Sequence, residues 1–318
     1  AEYSNNTENA LQHFITCYEL AQFMGKANKQ EGIDATNNIG AAYYMLGNYP
    51  KAIECYKMSM KKDKALNGEN SPNTSRTLNN IASVYQHKED FDKAIRYYRQ
   101  AIDHLQTHYP EKKIKLALYY NNLANALEYT QPFDVFIRYR KKAIELHESY
   151  EGTDNLREKL AAYSNIGTNY DERGEYKRAL AYYKKAYRTG KAAGNPLPLF
   201  ELGMAAANMG DVYATMNDYA EALKWHKKFR QHFLTLFEPE DFWVGVAEYY
   251  IGAVYTDMQQ HDSAYHYLKM AEDKIREGGR VYYLYYFCQA MSGYHLGTGN
   301  YSKSLALNKE TLEHALAL

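Results

Sequence analysis

Cysteine, tryptophan, proline and any excess of charge are all scarce in this 318-residue chain. The three cysteines, Cys17, Cys55 and Cys288, are odd in number and lack CxxC or CxxxC spacing, which fits neither a disulfide framework nor a zinc-finger type of metal site. They read as small apolar packing residues. Unpaired thiols favour the cytoplasm, with a periplasmic or extracellular location open to a chain whose signal peptide has been removed. Lys plus Arg and Asp plus Glu both total 38, so no global field draws the chain to nucleic acid or an anionic membrane. Apolar runs such as Val281 to Cys288 fall far short of the roughly 20 residues of a membrane helix, and membrane insertion is not expected. There is no GxSxG, HExxH, P-loop or EF-hand run, and the eleven histidines are scattered. The expectation is a protein that is not an enzyme, with no cofactor and no metal. Seven prolines and 19 glycines leave little for long loops. Tyrosine stands out at 34 residues, and it points to helices packed through aromatic knobs.

What is present is repetition. A small residue recurs at Gly40, Ala82, Ala124, Gly167, Gly210, Gly252 and Ser292, with a period of about 42 residues. Three residues on comes a ring or large apolar side chain, Tyr43, Tyr85, Leu127, Tyr170, Tyr213, Tyr255 and His295, a step that keeps both on one helical face. Twelve residues after each small position sits Ala52, Ala94, Phe136, Ala179, Ala222, Ala264 or Ser304. Turn residues such as Gly47-Asn48, Glu89-Asp90, Gln131-Pro132 and Gly174-Glu175 lie just before it. Each unit therefore reads as helix A, tight turn, helix B, with small residues where the two helices cross. Phe136 stands where most units have Ala, so the third hairpin is expected to splay or shift register.

The series small residue, aromatic, turn, Ala, aromatic, small residue, as in Ala82, Tyr85, Ala94, Tyr98 and Ala101, resembles the tetratricopeptide repeat. The usual period is 34, and the extra residues suffice for about one more turn in each helix. Repeats of this length are similar to those of kinesin light chain, of Pins-type spindle-orientation adaptors and of bacterial tetratricopeptide signalling receptors. The resemblance implies an all-α fold, a right-handed superhelical solenoid of seven repeats preceded by an N-terminal half repeat. The expected boundaries are 1–27 for the half repeat, then 28–68, 69–110, 111–152, 153–195, 196–239, 240–279 and 280–318. All form one solenoid. Opening on half a hairpin and closing without a polar cap suggest a fragment of a longer protein, or ends covered by a partner or a second copy.

In such a solenoid the A helices form an inner wall. Two residues before the small A-helix position the chain carries Asn38, Asn80, Asn122, Asn165 and Asn208, followed in the sixth unit by Tyr250. Asn in a helix interior has a propensity cost, and its amide offers the donor and acceptor that an extended peptide backbone requires. Related long-repeat proteins use inner-wall Asn in this way. The alternative is that these amides bond adjacent A helices and only tune stacking. Around the ladder, Arg76 stands early and Glu128, Asp171, Asp211 and Asp257 later, with Tyr250 and Tyr286 at the far end. A groove that turns acidic and then aromatic suits a protein or peptide segment with basic and apolar anchors. The expected function is a non-catalytic peptide-binding scaffold, the sensor or adaptor region of a signalling protein. The alternatives are a regulatory segment of a larger enzyme such as a histidine kinase, or a self-associating module.

Overall fold

The computed structural model describes residues 2–150, 152, 154–194 and 196–316, with side chains from Asn6 onward. The boundaries expected at 153 and 195, like Ala1 and Leu318, lie outside those residues. Among the described residues there are fifteen helices and no strand. They are α1 (Glu2–Phe23), α2 (Gln30–Met45), α3 (Tyr49–Asn67), α4 (Pro72–His87), α5 (Phe91–His108), α6 (Lys113–Glu128), α7 (Phe133–Glu148), α8 (Leu156–Asp171), α9 (Tyr176–Ala192), α10 (Leu199–Thr215), α11 (Tyr219–Leu236), α12 (Phe242–Asp257), α13 (His261–Gly278), α14 (Val281–Gly297) and α15 (Tyr301–Ala315). From α2 onward they pair as seven A/B hairpins, and α1 packs on α2 as the expected leading half. No described helix is long and apolar enough to cross a membrane.

The chain forms two compact units, Ala1–Asn155 and Leu156–Leu318. In the first, each helix packs on the next from α1 to α7, and the A helices α2, α4 and α6 also touch in succession. In the second, the same holds from α8 to α15, with α8, α10, α12 and α14 adjacent. Within each unit the A helices therefore share a continuous face.

The turns follow one rule. Seven residues past the small position the backbone is left-handed, at Gly47, Glu89, Gly174, Asn217, Gln259 and Gly299. That conformation reverses the chain between helices, and glycine adopts it most readily. The next residue caps helix B. Asn48, Asp90, Asp218 and Asn300 each accept the backbone N–H three residues on, at 3.3 to 3.4 Å, the geometry of a helix N-cap. The third hairpin departs from this. Pro132 bars the usual turn because it restricts the residue before it. Gln131 has no positive φ, and Pro132 starts α7 without a side-chain cap. Register is nonetheless kept, since α7 begins nine residues after Ala124, as in every other hairpin. Phe136 is accommodated by burial at 5% exposure, edge-on to Phe133 at 5.3 Å. The expected register shift is replaced by a change of turn.

The crossing of each hairpin is closed by the side chain sixteen residues past the small position. Tyr56 lies over Gly40, Tyr183 over Gly167, His226 over Gly210 and Leu268 over Gly252, so close that a Cβ on Gly167 or Gly210 would sit 2.5 or 2.4 Å from the ring. At two of the tyrosines the ring tip is anchored on helix A. The Tyr98 hydroxyl donates to Gln86 and shares a hydrogen bond with Ser83, and Tyr183 meets Thr168 at 3.1 Å. Two hairpins fill the tyrosine slot with a titratable side chain instead. In the third it is Arg140, buried and paired with Glu128 at 2.8 Å; in the fifth it is His226, facing Asp211 at 3.5 Å.

Candidate functional site

The sequence-derived site residues fall into separate local environments. In the first unit, Asn38 is exposed on α2 beside a groove of about 530 Å³ shared with Ala10, Phe14 and Met45. Asn80 is half-buried on α4. Asn122 donates from Nδ2 to Asn79 Oδ1 on the preceding A helix at 3.0 Å, so one of its donors is committed to stacking. Arg76 donates to Asp34 at 3.4 Å across adjacent A helices, both side chains being partly exposed. Glu128 is held by Arg140. Two of the charges picked out along the wall are thus internally compensated.

In the second unit, Asn165 on α8 and Asn208 on α10 line one pocket of about 500 Å³, whose floor includes Leu160, Phe200 and Met204. Two ladder amides face one apolar hollow there. Four further site residues, Asp211, Tyr250, Asp257 and Tyr286, come together with His226, Tyr249 and Tyr282 around a second pocket of about 310 Å³. Its walls are α10, α12 and α14, with His226 entering from α11.

The chemistry of this second pocket is unusual for the chain. Asp211 accepts a hydrogen bond from Tyr250. Loss of water and the nearby Asp171 raise its carboxyl above the usual range, toward about 8. The side chain keeps 40% of its surface accessible through the pocket mouth, and water there moderates the rise without changing its direction. Burial also raises Asp171 and Asp257, the former helped by Glu172. Among the described residues, no lysine or arginine contributes to the shift of any of these three carboxyls. Elsewhere in the unit, by contrast, Glu248 is fully buried between Arg230 and Lys274.

His226 is 1% exposed, and burial holds its imidazole down to about 3, so it is neutral and supplies no cation to Asp211. It stacks flat on Tyr250, ring centres 5.0 Å apart and planes within 4°. Tyr249 lies 4.8 Å from Tyr250, and Tyr282 lies edge-on to Tyr286 at 4.9 Å. Ring faces beside uncompensated carboxylates attract a cation by both quadrupole and Coulomb terms. Sequence reasoning named Asp211, Tyr250, Asp257 and Tyr286 but missed His226 and Tyr282. The signal for His226 was present: it fills the slot held by Tyr56, Tyr98 and Tyr183. Tyr282 lies in a tyrosine-rich stretch whose facing cannot be read without the helix phase.

Comparison with known proteins agrees with this architecture. Residues 32–107 and 115–192 match the family model described as tetratricopeptide repeat. No curated protein matches the chain in sequence. Among solved structures, a Signal Transduction ATPase with Numerous Domains protein with a tetratricopeptide repeat sensor, from Pyrococcus horikoshii, aligns with TM-score 0.71 at 15% identity, over 98% of this chain and 46% of that one. The apo form of the quorum sensor NprR from B. thuringiensis aligns with TM-score 0.64 at 13% identity, over 99% of this chain and 86% of that one. A putative kinesin light chain with nearly identical repeats, from P. anserina, aligns with TM-score 0.53 at 11% identity, over 65% and 97%. At these identities the likeness is one of fold. With its seven hairpins, its glycine-on-ring crossings and the family match, the chain is a tetratricopeptide-repeat protein.

Proposed function

We propose that this chain is a non-catalytic scaffold that binds an extended protein segment along its A helices and seats a basic side chain of that segment in the pocket between α10, α12 and α14. One observation carries the reading: among the described residues Asp171, Asp211 and Asp257 have no cationic partner, and the last two share a pocket with four tyrosines. A lysine or arginine entering there would favour the ionised form of carboxyls that burial now disfavours and would lie against ring faces, a contact contributing about 0.5–2 kcal/mol. The adjacent hollow lined by Asn165, Asn208, Phe200 and Met204 offers the next stretch of segment an apolar seat and two amides for its backbone.

The test is a panel of ten- to twelve-residue peptides pairing one Lys or Arg with aliphatic neighbours, measured by fluorescence anisotropy. Binding that is about ten-fold weaker in Asp211→Asn and Asp257→Asn, for a lost contact of about 1.4 kcal/mol, supports the reading. Equal affinity for acidic and basic peptides sinks it.

A role as the sensor part of a larger signalling protein is favoured by the alignment with the ATPase that carries a tetratricopeptide repeat sensor, of which this chain spans 46%. A second copy of the chain is a further partner in this reading, because α15 and the residue after it expose Leu305, Leu312 and Leu316 at 58%, 61% and 82%.

A further inference from the structure

The last hairpin gathers three ligand types that the repeat pattern does not call for. Cys288 lies on α14, fully buried. Glu310 and His314 lie one helical turn apart on α15, 30% and 23% exposed, so both present to the same side. One ligand atom from each, sulfur, carboxylate oxygen and imidazole nitrogen, lies within 4.8 Å of the other two. The His314 Nε2 to Glu310 Oε1 distance is 3.7 Å, and His314 Nε2 is buried without a hydrogen-bond partner. We infer that Cys288, Glu310 and His314 form a three-ligand site for a zinc-class divalent cation, joining α14 to α15.

The donor set is the first reason. Thiolate, imidazole and carboxylate together select Zn²⁺ over the hard oxygen-loving cations. Geometry is the second. Bonds of about 2.3 Å to sulfur and 2.0 Å to nitrogen at a tetrahedral angle place those two atoms about 3.5 Å apart, so a cluster within 4.8 Å closes with a shift of up to about 1.3 Å between ligand atoms. Glu310 and His314 are side chains on a half-exposed face that can supply it. Arg276 is the obvious competitor, donating from Nη1 to Glu310 Oε1 at 2.5 Å and from Nη2 to Oε2 at 3.4 Å. Each carboxylate oxygen keeps a lone pair that Arg276 does not use, so Glu310 can ligate with Arg276 retained as the outer hydrogen bond that ligating carboxylates commonly have. Charge also balances. One Zn²⁺ with a thiolate, a carboxylate and a neutral imidazole sums to zero, and the thiol proton, now on the bond to Glu310, is released to water on binding.

The experiment loads the full chain with Zn²⁺, removes excess by gel filtration and measures retained metal per chain. Co²⁺ replaces Zn²⁺ in parallel, so that thiolate-to-cobalt charge transfer reports sulfur ligation. The expected result is one equivalent retained, a charge-transfer band lost in Cys288→Ser, and affinity weakened at least about ten-fold in His314→Ala, with Cys17→Ser unchanged. His314→Ala alters a partly exposed side chain, which keeps the test usable if Cys288→Ser misfolds. Retention of no metal, or retention unaffected by His314→Ala with no charge-transfer band, would overturn the site.

Discussion

At the scale of single residues, the second unit contains two carboxylates treated in opposite ways. Glu248 is fully buried, yet it accepts three charge-assisted bonds, two from Arg230 at 3.0 and 2.8 Å and one from Lys274 at 2.7 Å. Removing it strands two cations, and a broken buried pair costs about 3–5 kcal/mol. Glu248→Ala is therefore expected to lower chemical-denaturation stability by that order, with Glu248→Gln losing less because it keeps an acceptor.

Asp211 has no cation. Its folded-state pKa is raised, toward about 8, so its contribution to stability is fully present below the unfolded carboxylate value and is lost as pH rises through the folded one. Unliganded wild type should thus lose stability relative to Asp211→Asn on going from about pH 5 to pH 8, and melting curves of the pair will show it. His226 acts with the opposite sign. Held down to about 3, it stabilises fully above its ordinary value and costs stability as pH falls toward the folded one. The comparison with Asp211→Asn separates the two. A cationic peptide should bind less tightly as Asp211 protonates.

At the scale of the helical hairpin, the crossings and turns make distinct demands on small residues. Gly167 and Gly210 are required by contact, because a Cβ would press into Tyr183 or His226. Gly167→Ala is expected to cost about 1–3 kcal/mol as the ring is forced to move. Gly47 and Gly299 have open space around them, but φ values of 73° and 74°, so any cost there is one of backbone conformation. The converse holds at Glu89, a bulky residue at φ 58°. Glu89→Gly should raise stability by about 0.5–1 kcal/mol, the strain relieved exceeding the added chain entropy. Thermal unfolding of these variants checks both signs.

This level was the most legible in the sequence, since a small residue and its +12 partner recur at fixed spacing whatever the tertiary context. Individual pairings were less so. That Arg140 fills a tyrosine slot and neutralises Glu128, or that Asn122 bonds Asn79, depends on which neighbouring helix each long side chain reaches. Periodicity reports the face a residue occupies, not the partner it finds there.

At the scale of the whole molecule, the exposed leucines on α15 bear on assembly. Small-angle scattering at rising concentration should show increasing mass for the wild-type chain and less for Leu305→Glu with Leu312→Glu; concentration-independent mass in both would remove a second copy from the set of partners. The sequence also leads one to expect a groove that turns acidic and then aromatic, and part of that series, Asp211, Tyr250, Asp257 and Tyr286, is gathered around one pocket in the second unit. The measurement that bears most directly on the central claim is a double-mutant cycle. Wild type and Asp211→Asn would each be titrated with a peptide carrying lysine at its anchor position and with the same peptide carrying norleucine. If the pocket holds the ammonium group, the two changes couple by about 1 kcal/mol or more. Additive effects, with the change from lysine to norleucine costing the same affinity whether or not Asp211 is present, would contradict it.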